Sequence, residues 1–216
     1  MLGATAQDVL DSLDGVAYVV GPDGTILGVG RPNWAAAIEA GRAADRLRDV
    51  MGTNLFDWIS GRKVQGSYQM MMASILDGSQ PSVVVPYRCD TPAGRRQMRL
   101  SLTPYRAAGR ISAVLYQSVL LAETMRPPVN LFDPDILVAN LSDTRGRPLV
   151  TMCSYCQRIA WPPGQARRPR SWIEAEDYYR RGGASDIRIS HGICPPCYKG
   201  VVGPLAAKNM KAEEAD

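Results

Sequence analysis

Histidine is almost absent from this sequence: His191 is the only one among 216 residues. A single imidazole excludes paired-histidine metal sites and the two-histidine facial triad, and it permits a Ser-His-Asp triad only if His191 supplies the base. No apolar run approaches the ~20 residues of a membrane-spanning helix. Residues 1–14 hold three aspartates and no basic residue, unlike a secretory signal. We therefore expect a cytoplasmic protein without a catalytic constellation, and not an enzyme.

Strong charge of either sign is also missing. The net charge is +4, made up of +2 over residues 1–122, −1 over 123–150 and +3 over 151–216. Such values are compatible with nucleic-acid binding but do not favour it. With 45% apolar and 21% charged residues, the composition is that of a folded protein. At roughly 150 residues per domain, the length predicts one domain and a smaller module.

Four of the five cysteines form two pairs, Cys153-Ser-Tyr-Cys156 and Cys194-Pro-Pro-Cys197, separated by 37 residues. In a reducing compartment, two such pairs indicate a metal site rather than a disulfide framework. Tetrahedral zinc accepts four thiolates, and a two-residue gap lets one turn present two sulfurs to one ion. We predict structural zinc held by Cys153, Cys156, Cys194 and Cys197. An iron–sulfur cluster, a redox-active pair and unligated cysteines remain alternatives.

Residues near the second pair qualify this prediction. Pro195 and Pro196 lack N–H groups, which zinc turns usually direct at the thiolates, so a redox role stays open. His191 lies three residues before Cys194. Because four cysteines already complete a tetrahedron, we expect His191 to act as a second-layer hydrogen-bond partner, with direct ligation as the alternative.

Over residues 1–122 the spacing of apolar residues changes several times between the period of a helix and that of a strand. We expect helices over residues 5–13 and 34–44, a short helical turn within 52–58, and a helix carrying the apolar stripe Val64, Tyr68, Met71, Met72 and Ile75 that ends at Gly78. Alternation predicts strands over 15–20, 25–29, 82–89, 96–105 and 111–121. Strands joined by short turns indicate an α+β fold, an antiparallel sheet with helices on one face.

This order of elements resembles a PAS domain over roughly residues 5–122. The resemblance is carried by Gly15-Val-Ala-Tyr-Val-Val-Gly-Pro-Asp-Gly24, by Gly52-Thr-Asn-Leu-Phe-Asp-Trp58 and by the closing three strands through Tyr116-Gln117. It implies a five-stranded antiparallel sheet in the order 2-1-5-4-3, with helices enclosing a pocket. PAS domains sense small molecules, light or redox state, or act as dimerising modules.

The pocket that this resemblance implies has no evident cofactor. Haem in PAS domains is usually bound through histidine, and the PAS-like region of this chain contains no histidine. The stretch around Asn54 lacks the cysteine of the photoactive flavin motif. An unidentified small-molecule ligand therefore stays open, and Met70, Met71 and Met72 are either core residues or pocket lining. Cys89, at the end of an alternating strand, is interpreted as a buried hydrophobe rather than a sensor thiol.

Residues 123–150 contain several prolines and are interpreted as a linker, with apolar Leu131 and Phe132 able to dock. Residues 151–206 are interpreted as the four-cysteine module. Within it, Ser171 and Glu174 form a capping-box pattern that predicts a helix starting at Trp172 and ending at Gly182-Gly183. Ile187–Ile189 is predicted as a strand, and residues 207–216 as a charged tail.

The module resembles a small cysteine-pair element at the C-terminus of some bacterial signalling proteins, often behind PAS or receiver domains. Its residues are Met152-Cys-Ser-Tyr-Cys-Gln-Arg158, the stretch Trp172–Arg181 and Ser190-His-Gly-Ile-Cys-Pro-Pro-Cys197. A metal crosslink would stabilise so small a core.

The sequence thus predicts a PAS-type sensing or protein-interaction module with structural zinc, acting through a homodimer or a signalling partner. Two alternatives remain: a transcriptional or nucleic-acid-binding regulator, and a thiol-redox sensor. The first would use the basic residues Arg167, Arg168, Arg170, Arg180 and Arg181, which otherwise form a solvated loop.

Overall fold

The computed structural model describes residues 5–40, 50–133, 146–164 and 171–204. The helices are α1 (Ala6–Asp11), α2 (Arg31–Ala40), α3 (Arg62–Leu76), α4 (Ala175–Arg180) and α5 (Pro195–Cys197), which continues as the π-helical turn Tyr198–Val202; 3-10 turns cover Leu55–Trp58 and Asn130–Phe132. The strands are β1 (Val16–Val20), β2 (Ile26–Val29), β3 (Val83–Arg88), β4 (Gly94–Ala107), β5 (Arg110–Met125), β6 (Leu149–Cys153), β7 (Ile159–Trp161), β8 (Ser171–Ile173) and β9 (Arg188–Gly192). None of the described helices combines the length and apolarity needed to cross a membrane.

The chain forms two compact units. The first unit comprises Met1–Ile59, Tyr68–Pro86 and Met98–Leu121, and the second comprises Ser60–Ser67, Tyr87–Gln97 and Ala122–Asp216. The second unit therefore contains the start of α3 and the tip of the β3–β4 hairpin together with the cysteine pairs. The boundaries predicted from the sequence, at residues 122, 150 and 206, stay predictions, and residues 134–145 and 207–216 lie outside the described part of the chain.

Five strands form one sheet in the order β2-β1-β5-β4-β3. β1 lies between β2 and β5 and pairs antiparallel with both. The remaining neighbours are joined by hairpins, so each pair is connected by a tight turn. The predicted α+β class and the strand order implied by the PAS resemblance are both confirmed, although β4 and β5 run several residues further than the alternation indicated.

Helices cover this sheet from its two faces. Trp34 of α2 meets Tyr18 edge-on, and Tyr18 stacks on Tyr116, its cross-strand partner, at 5.0 Å between ring centres. Leu10 of α1 packs with Val19 and Ala113. Because Tyr18 and Val19 are consecutive in a strand, they point to opposite faces. The short helix α1 thus covers the face opposite Tyr18, whereas the sequence predicted all helices on one face of the sheet.

Gly15, just before β1, has a backbone conformation that other residues rarely adopt. Its φ is +67°, and a Cβ added there would lie 2.1 Å from the carbonyl oxygen of Ser118 on the paired strand β5. Neither backbone can move away without breaking the β1–β5 register. Glycine therefore permits the close approach that begins the sheet.

We expect Gly15→Ala to destabilise the first unit by about 2–4 kcal/mol, since the left-handed φ and the clash with Ser118 both disfavour a side chain. Urea denaturation followed by circular dichroism would measure this. Gly109→Ala is the matched control: Gly109 also has a positive φ, +80°, but an added Cβ there meets no atom within 4 Å. Equal losses for both variants would contradict the close-approach argument.

The second unit contains a four-stranded sheet of its own, in the order β8-β7-β6-β9. Its core gathers residues far apart in the sequence, among them Leu131, Val150, Ile159 and Tyr178. Leu131 and Phe132 are buried in this core, so the described part of the predicted linker contributes to packing. Each such side chain stabilises the unit by roughly 1.5–3 kcal/mol.

The predicted helix start at Trp172 is wrong. Ser171–Ile173 is strand β8, which pairs antiparallel with β7, and the helix begins after Glu174 without a side-chain cap. Tertiary contacts explain the difference. Strand β7 offers hydrogen bonds to this segment, and the Glu174 carboxylate accepts hydrogen bonds from Arg88 and Arg158 instead of from a backbone N–H group at the helix start. The predicted helix end holds, since the chain turns at Gly182 with φ +80°.

Candidate metal centre

The two cysteine pairs lie at the same end of two adjacent parallel strands. β6 ends at Cys153, and β9 runs beside it with Cys153 in register with Gly192. Cys194 follows two residues after Gly192, so both pairs lie at the carboxyl ends of these two strands. Parallel pairing thus brings together sulfurs that are about 40 residues apart in sequence.

The first pair occupies a tight turn between β6 and β7, here called the cysteine turn (residues 153–158). The N–H of Cys153 donates to the Arg158 carbonyl at 2.8 Å, and the N–H of Gln157 donates to the Cys153 carbonyl at 2.9 Å. Gln157 closes the turn with φ +56°, a conformation that usually favours glycine. This folds the Cys156 side chain back beside Cys153.

The second pair begins the short helix α5. Pro195 and Pro196 occupy its first positions, where helical N–H groups have no partner and proline is well accommodated. The N–H of Cys194 donates to the Cys153 sulfur at 3.4 Å, and the N–H of Tyr198 donates to the Cys194 carbonyl at 2.8 Å. The two prolines, which seemed unfavourable for a thiolate turn, therefore remove no hydrogen bond that the site needs.

The four sulfur atoms all lie within 4.8 Å of one another. Cys156 and Cys194, one from each pair, are 3.6 Å apart. A disulfide requires about 2.05 Å, so these are separate thiols. In a regular tetrahedron with Zn–S bonds of about 2.3 Å the sulfurs would be about 3.8 Å apart. The spacing therefore fits four ligands around one ion.

Close packing shifts the pKa values of Cys153, Cys156 and Cys197 in opposite directions. The pKa of Cys153 is lowered well below its usual range because the Cys156 and Cys197 thiols donate hydrogen bonds to its sulfur. The same contacts raise the pKa of Cys156 to about 12 and also raise that of Cys197. Among these three the protein alone favours the thiolate at Cys153, and a bound cation would favour the deprotonated form of Cys156 and Cys197 as well.

The site is asymmetric in its access to solvent. Cys153 and Cys194 are fully buried, whereas Cys156 and Cys197 are half-buried. His191 is exposed on β9, and its ring nitrogens are not among the atoms that cluster with the sulfurs. The second-layer role predicted for His191 remains a prediction. Cys89 was interpreted as buried, but it follows the end of β3 and is exposed.

Charged side chains of the second unit surround the cysteine turn, and the sequence did not reveal them. The Asp90 carboxylate is fully buried and pairs with Arg88 and Arg126. Arg88 also reaches Glu174 at 2.7 Å, and Glu174 accepts a second bond from Arg158 at 2.9 Å. Burial acts to raise the pKa of Glu174, but the hydrogen bonds from Arg88 and Arg158 outweigh it and lower the pKa.

The basic residues considered for nucleic-acid binding are only partly described. Arg167, Arg168 and Arg170 lie outside the described residues. Arg180 and Arg181 are exposed; Arg180 pairs with Asp177, and Arg181 lies over the Trp161 ring at 5.8 Å. These two arginines therefore have partners within the protein.

The first unit contains a cavity of about 650 Å³ beside α2. Its lining residues are Gln7, Val29, Arg31, Trp34, Ala35, Ile38, Glu39 and Met51. Of the three consecutive methionines, Met71 and Met72 are buried in the core. Met72 also lines a second cavity of about 470 Å³.

Comparison with known proteins gives only distant similarities. No protein-family model matches the chain, and no curated protein matches it. Among solved structures, the VqmA dimer of Vibrio cholerae without its target DNA is similar at 16% identity and a TM-score of 0.41, over 55% of this chain and 52% of that one. This chain thus matches about half the length of VqmA.

Two further structures are similar over about half of the chain as well. A sensory box sensor histidine kinase of Vibrio cholerae is 15% identical over 53% of this chain and 88% of its own, with a TM-score of 0.37. The PAS domain of BvgS from Bordetella pertussis is 12% identical over 54% and 83%, with a TM-score of 0.41. The strand order β2-β1-β5-β4-β3 is by itself that of a PAS-like fold.

Proposed function

We propose that this protein is a cytoplasmic PAS-type signal-sensing or protein-interaction module whose second unit holds one structural zinc ion. It acts by contact, as a homodimer or with a signalling partner, rather than by catalysis. The observation that carries the proposal is the cluster of four sulfurs within 4.8 Å in a chain whose other sheet has the PAS order.

The donor set supports zinc over the alternatives. Four thiolates in a tetrahedral arrangement are typical of structural zinc, which leaves no open position for a reacting group. An iron–sulfur cluster places several iron and sulfide atoms between its cysteines, whereas all four sulfurs here are near enough to share one ion. When bound, zinc would supply a crosslink between β6 and β9, and Cys153, Cys156, Cys194 and Cys197 would hold it.

A sensing role is supported by the first unit. Its cavity beside α2 is bordered by apolar Val29, Ile38 and Met51 and by the charged Arg31 and Glu39. A small molecule with an apolar body and a polar group would suit such a lining.

Elemental analysis and a visible spectrum of the purified full chain test the proposal. We expect one zinc per chain, no visible absorption and a dimer by light scattering. Coloured protein containing iron would replace zinc with an iron centre, and metal-free protein with a stable second unit would overturn the metal site. DNA binding that weakens steeply with salt would favour the nucleic-acid regulator instead.

A further inference from the structure

The tip of the β3–β4 hairpin, residues 87–97, is hydrogen-bonded to the cysteine turn inside the second unit. The N–H of Arg88 donates to the carbonyl of Tyr155 at 2.7 Å. The N–H of Asp90 donates to the side-chain oxygen of Gln157 at 2.8 Å. Arg88 ends the edge strand β3 and Asp90 follows two residues later, and the cysteine turn supplies acceptors for both N–H groups.

Residues at the start of α3 lie against the cysteine turn and against strand β9 as well. The hydroxyl groups of Ser67 and Tyr155 are 2.7 Å apart, and Ser67 is fully buried. Gly61 lies so close to β9 that an added Cβ would be 2.6 Å from the His191 carbonyl oxygen. Two segments that are remote in sequence from the cysteines therefore rest on the residues between and beside them.

The acceptors in these contacts depend on the geometry of the cysteine turn. Tyr155 lies between the two cysteines of the first pair, and Gln157 directly follows Cys156 in a left-handed conformation that the turn must maintain. A bound ion would fix Cys153 and Cys156, the cysteines on either side of Tyr155. Four free thiols would leave the turn held by backbone hydrogen bonds, such as those from Cys153 to Arg158 and from Gln157 to Cys153. Order at the acceptors, and hence at their donors, should follow metal occupancy.

We infer that the metal centre is a switch for the hairpin tip and the first turns of α3: metal binding orders these segments, and metal loss releases them. This inference rests on the proposed metal site and adds a regulatory role to it. β3, β4 and α3 each continue from the second unit into the first. Metal loss would therefore change the second-unit ends of three elements that continue into the first unit.

Linkage makes the switch reciprocal. If metal binding favours the contact between the hairpin tip and the cysteine turn by a certain factor, then loss of that contact must lower the metal affinity by that same factor. Residues that support metal ligands from outside typically change affinity 10–100-fold when removed. A single lost hydrogen bond belongs at the lower end, about tenfold.

Gln157→Gly isolates the contact. Glycine suits φ +56°, so the cysteine turn can keep its shape, while the bond to Asp90 is lost. In the zinc-loaded full chain we expect one zinc per chain, about tenfold weaker zinc affinity and about fivefold faster hydrogen exchange at Asp90. Removing zinc from the unmodified chain with a chelator should raise exchange at Arg88 and Asp90 by a larger factor.

Gln117→Ala is the control, because the Gln117 amide donates to the carbonyl of Asp14 in the first unit. It should change neither zinc affinity nor exchange in residues 87–97. If the unmodified chain binds no zinc, the proposed function fails and the inference with it. If zinc binds but Gln157→Gly leaves zinc affinity and exchange at Asp90 unchanged, the inference alone is overturned. Because loss of zinc is expected to unfold the second unit, the zinc-loaded Gln157→Gly variant is the measurement that tests the contact itself.

Discussion

Cys153→Ser is expected to abolish stoichiometric zinc binding and to unfold the second unit. Cys153 is fully buried, accepts the N–H of Cys194 and ends β6, so its sulfur connects both pairs. A structural zinc ion contributes about 10–16 kcal/mol of apparent free energy. That is comparable to the roughly 5–15 kcal/mol that separates folded from unfolded states in ordinary domains. A serine hydroxyl is a poor replacement for a thiolate ligand.

Zinc content and hydrogen exchange measure this outcome together. Exchange should rise throughout the second unit, including Ser60–Ser67 and Tyr87–Gln97, while β1 and the Met98–Leu121 segment stay protected. Cys89→Ser is the matched control, because Cys89 is an exposed thiol outside the sulfur cluster; it should retain one zinc and native exchange. Retention of zinc by Cys153→Ser would refute the four-cysteine site, and loss of protection in both units would refute the division into two.

The parts of the fold that were correctly predicted are those that local patterns specify. The alternation of Val83 with Val85, and of Met98 with Leu100, marks strands that face one core. The spacing within each cysteine pair indicates a turn with two sulfurs on one side. The strand order came from the PAS resemblance, because antiparallel hairpins alone permit several orders.

Ser171 and Glu174 show where local patterns are insufficient. Their spacing satisfies the capping-box rule, yet Ser171–Ile173 pairs with β7. A cap contributes about 1 kcal/mol, whereas adding an edge strand satisfies several backbone groups and buries Ile173. The larger tertiary effect decided the structure, and no residue near Ser171 signals it.

Gln157 and Asp90 show a second kind of failure. Their contact spans 67 positions of sequence, and neither residue belongs to a recognisable motif. Cys89 was misplaced for a related reason. β3 ends at Arg88, whose N–H bonds to the cysteine turn, so the alternation that would have buried Cys89 stops one residue earlier. Contacts between distant segments set these positions.

Asp90→Asn is expected to destabilise the second unit by about 3 kcal/mol, the lower end for removing one partner of a buried ion pair. The Asp90 side chain is fully buried and that of Arg126 is 5% exposed. Asparagine preserves the shape but removes the negative charge, and its NH₂ group cannot accept from a guanidinium. The loss of stability should stay at about 3 kcal/mol because Arg126 keeps its ion pair with Glu176 at 3.2 Å and Arg88 keeps its ion pair with Glu174.

Asp186→Asn provides the control, since Asp186 pairs with Arg147 in the same unit but its side chain is 75% exposed. Exposed pairs contribute little, so a change below about 0.5 kcal/mol is expected there. The free energies would be taken from the exchange of the most protected amides of the second unit. Equal effects of the two variants would show that burial of Asp90 does not matter.

A double variant separates the ion pair from general damage at this position. The Arg126 guanidinium lies over the Phe132 ring at 4.7 Å, so methionine at position 126 can keep the aromatic contact without the charge. Replacing both partners of a buried pair by uncharged groups is often neutral. Asp90→Asn combined with Arg126→Met should therefore be more stable than the sum of the single effects, and strict additivity would mean that the two charges do not interact.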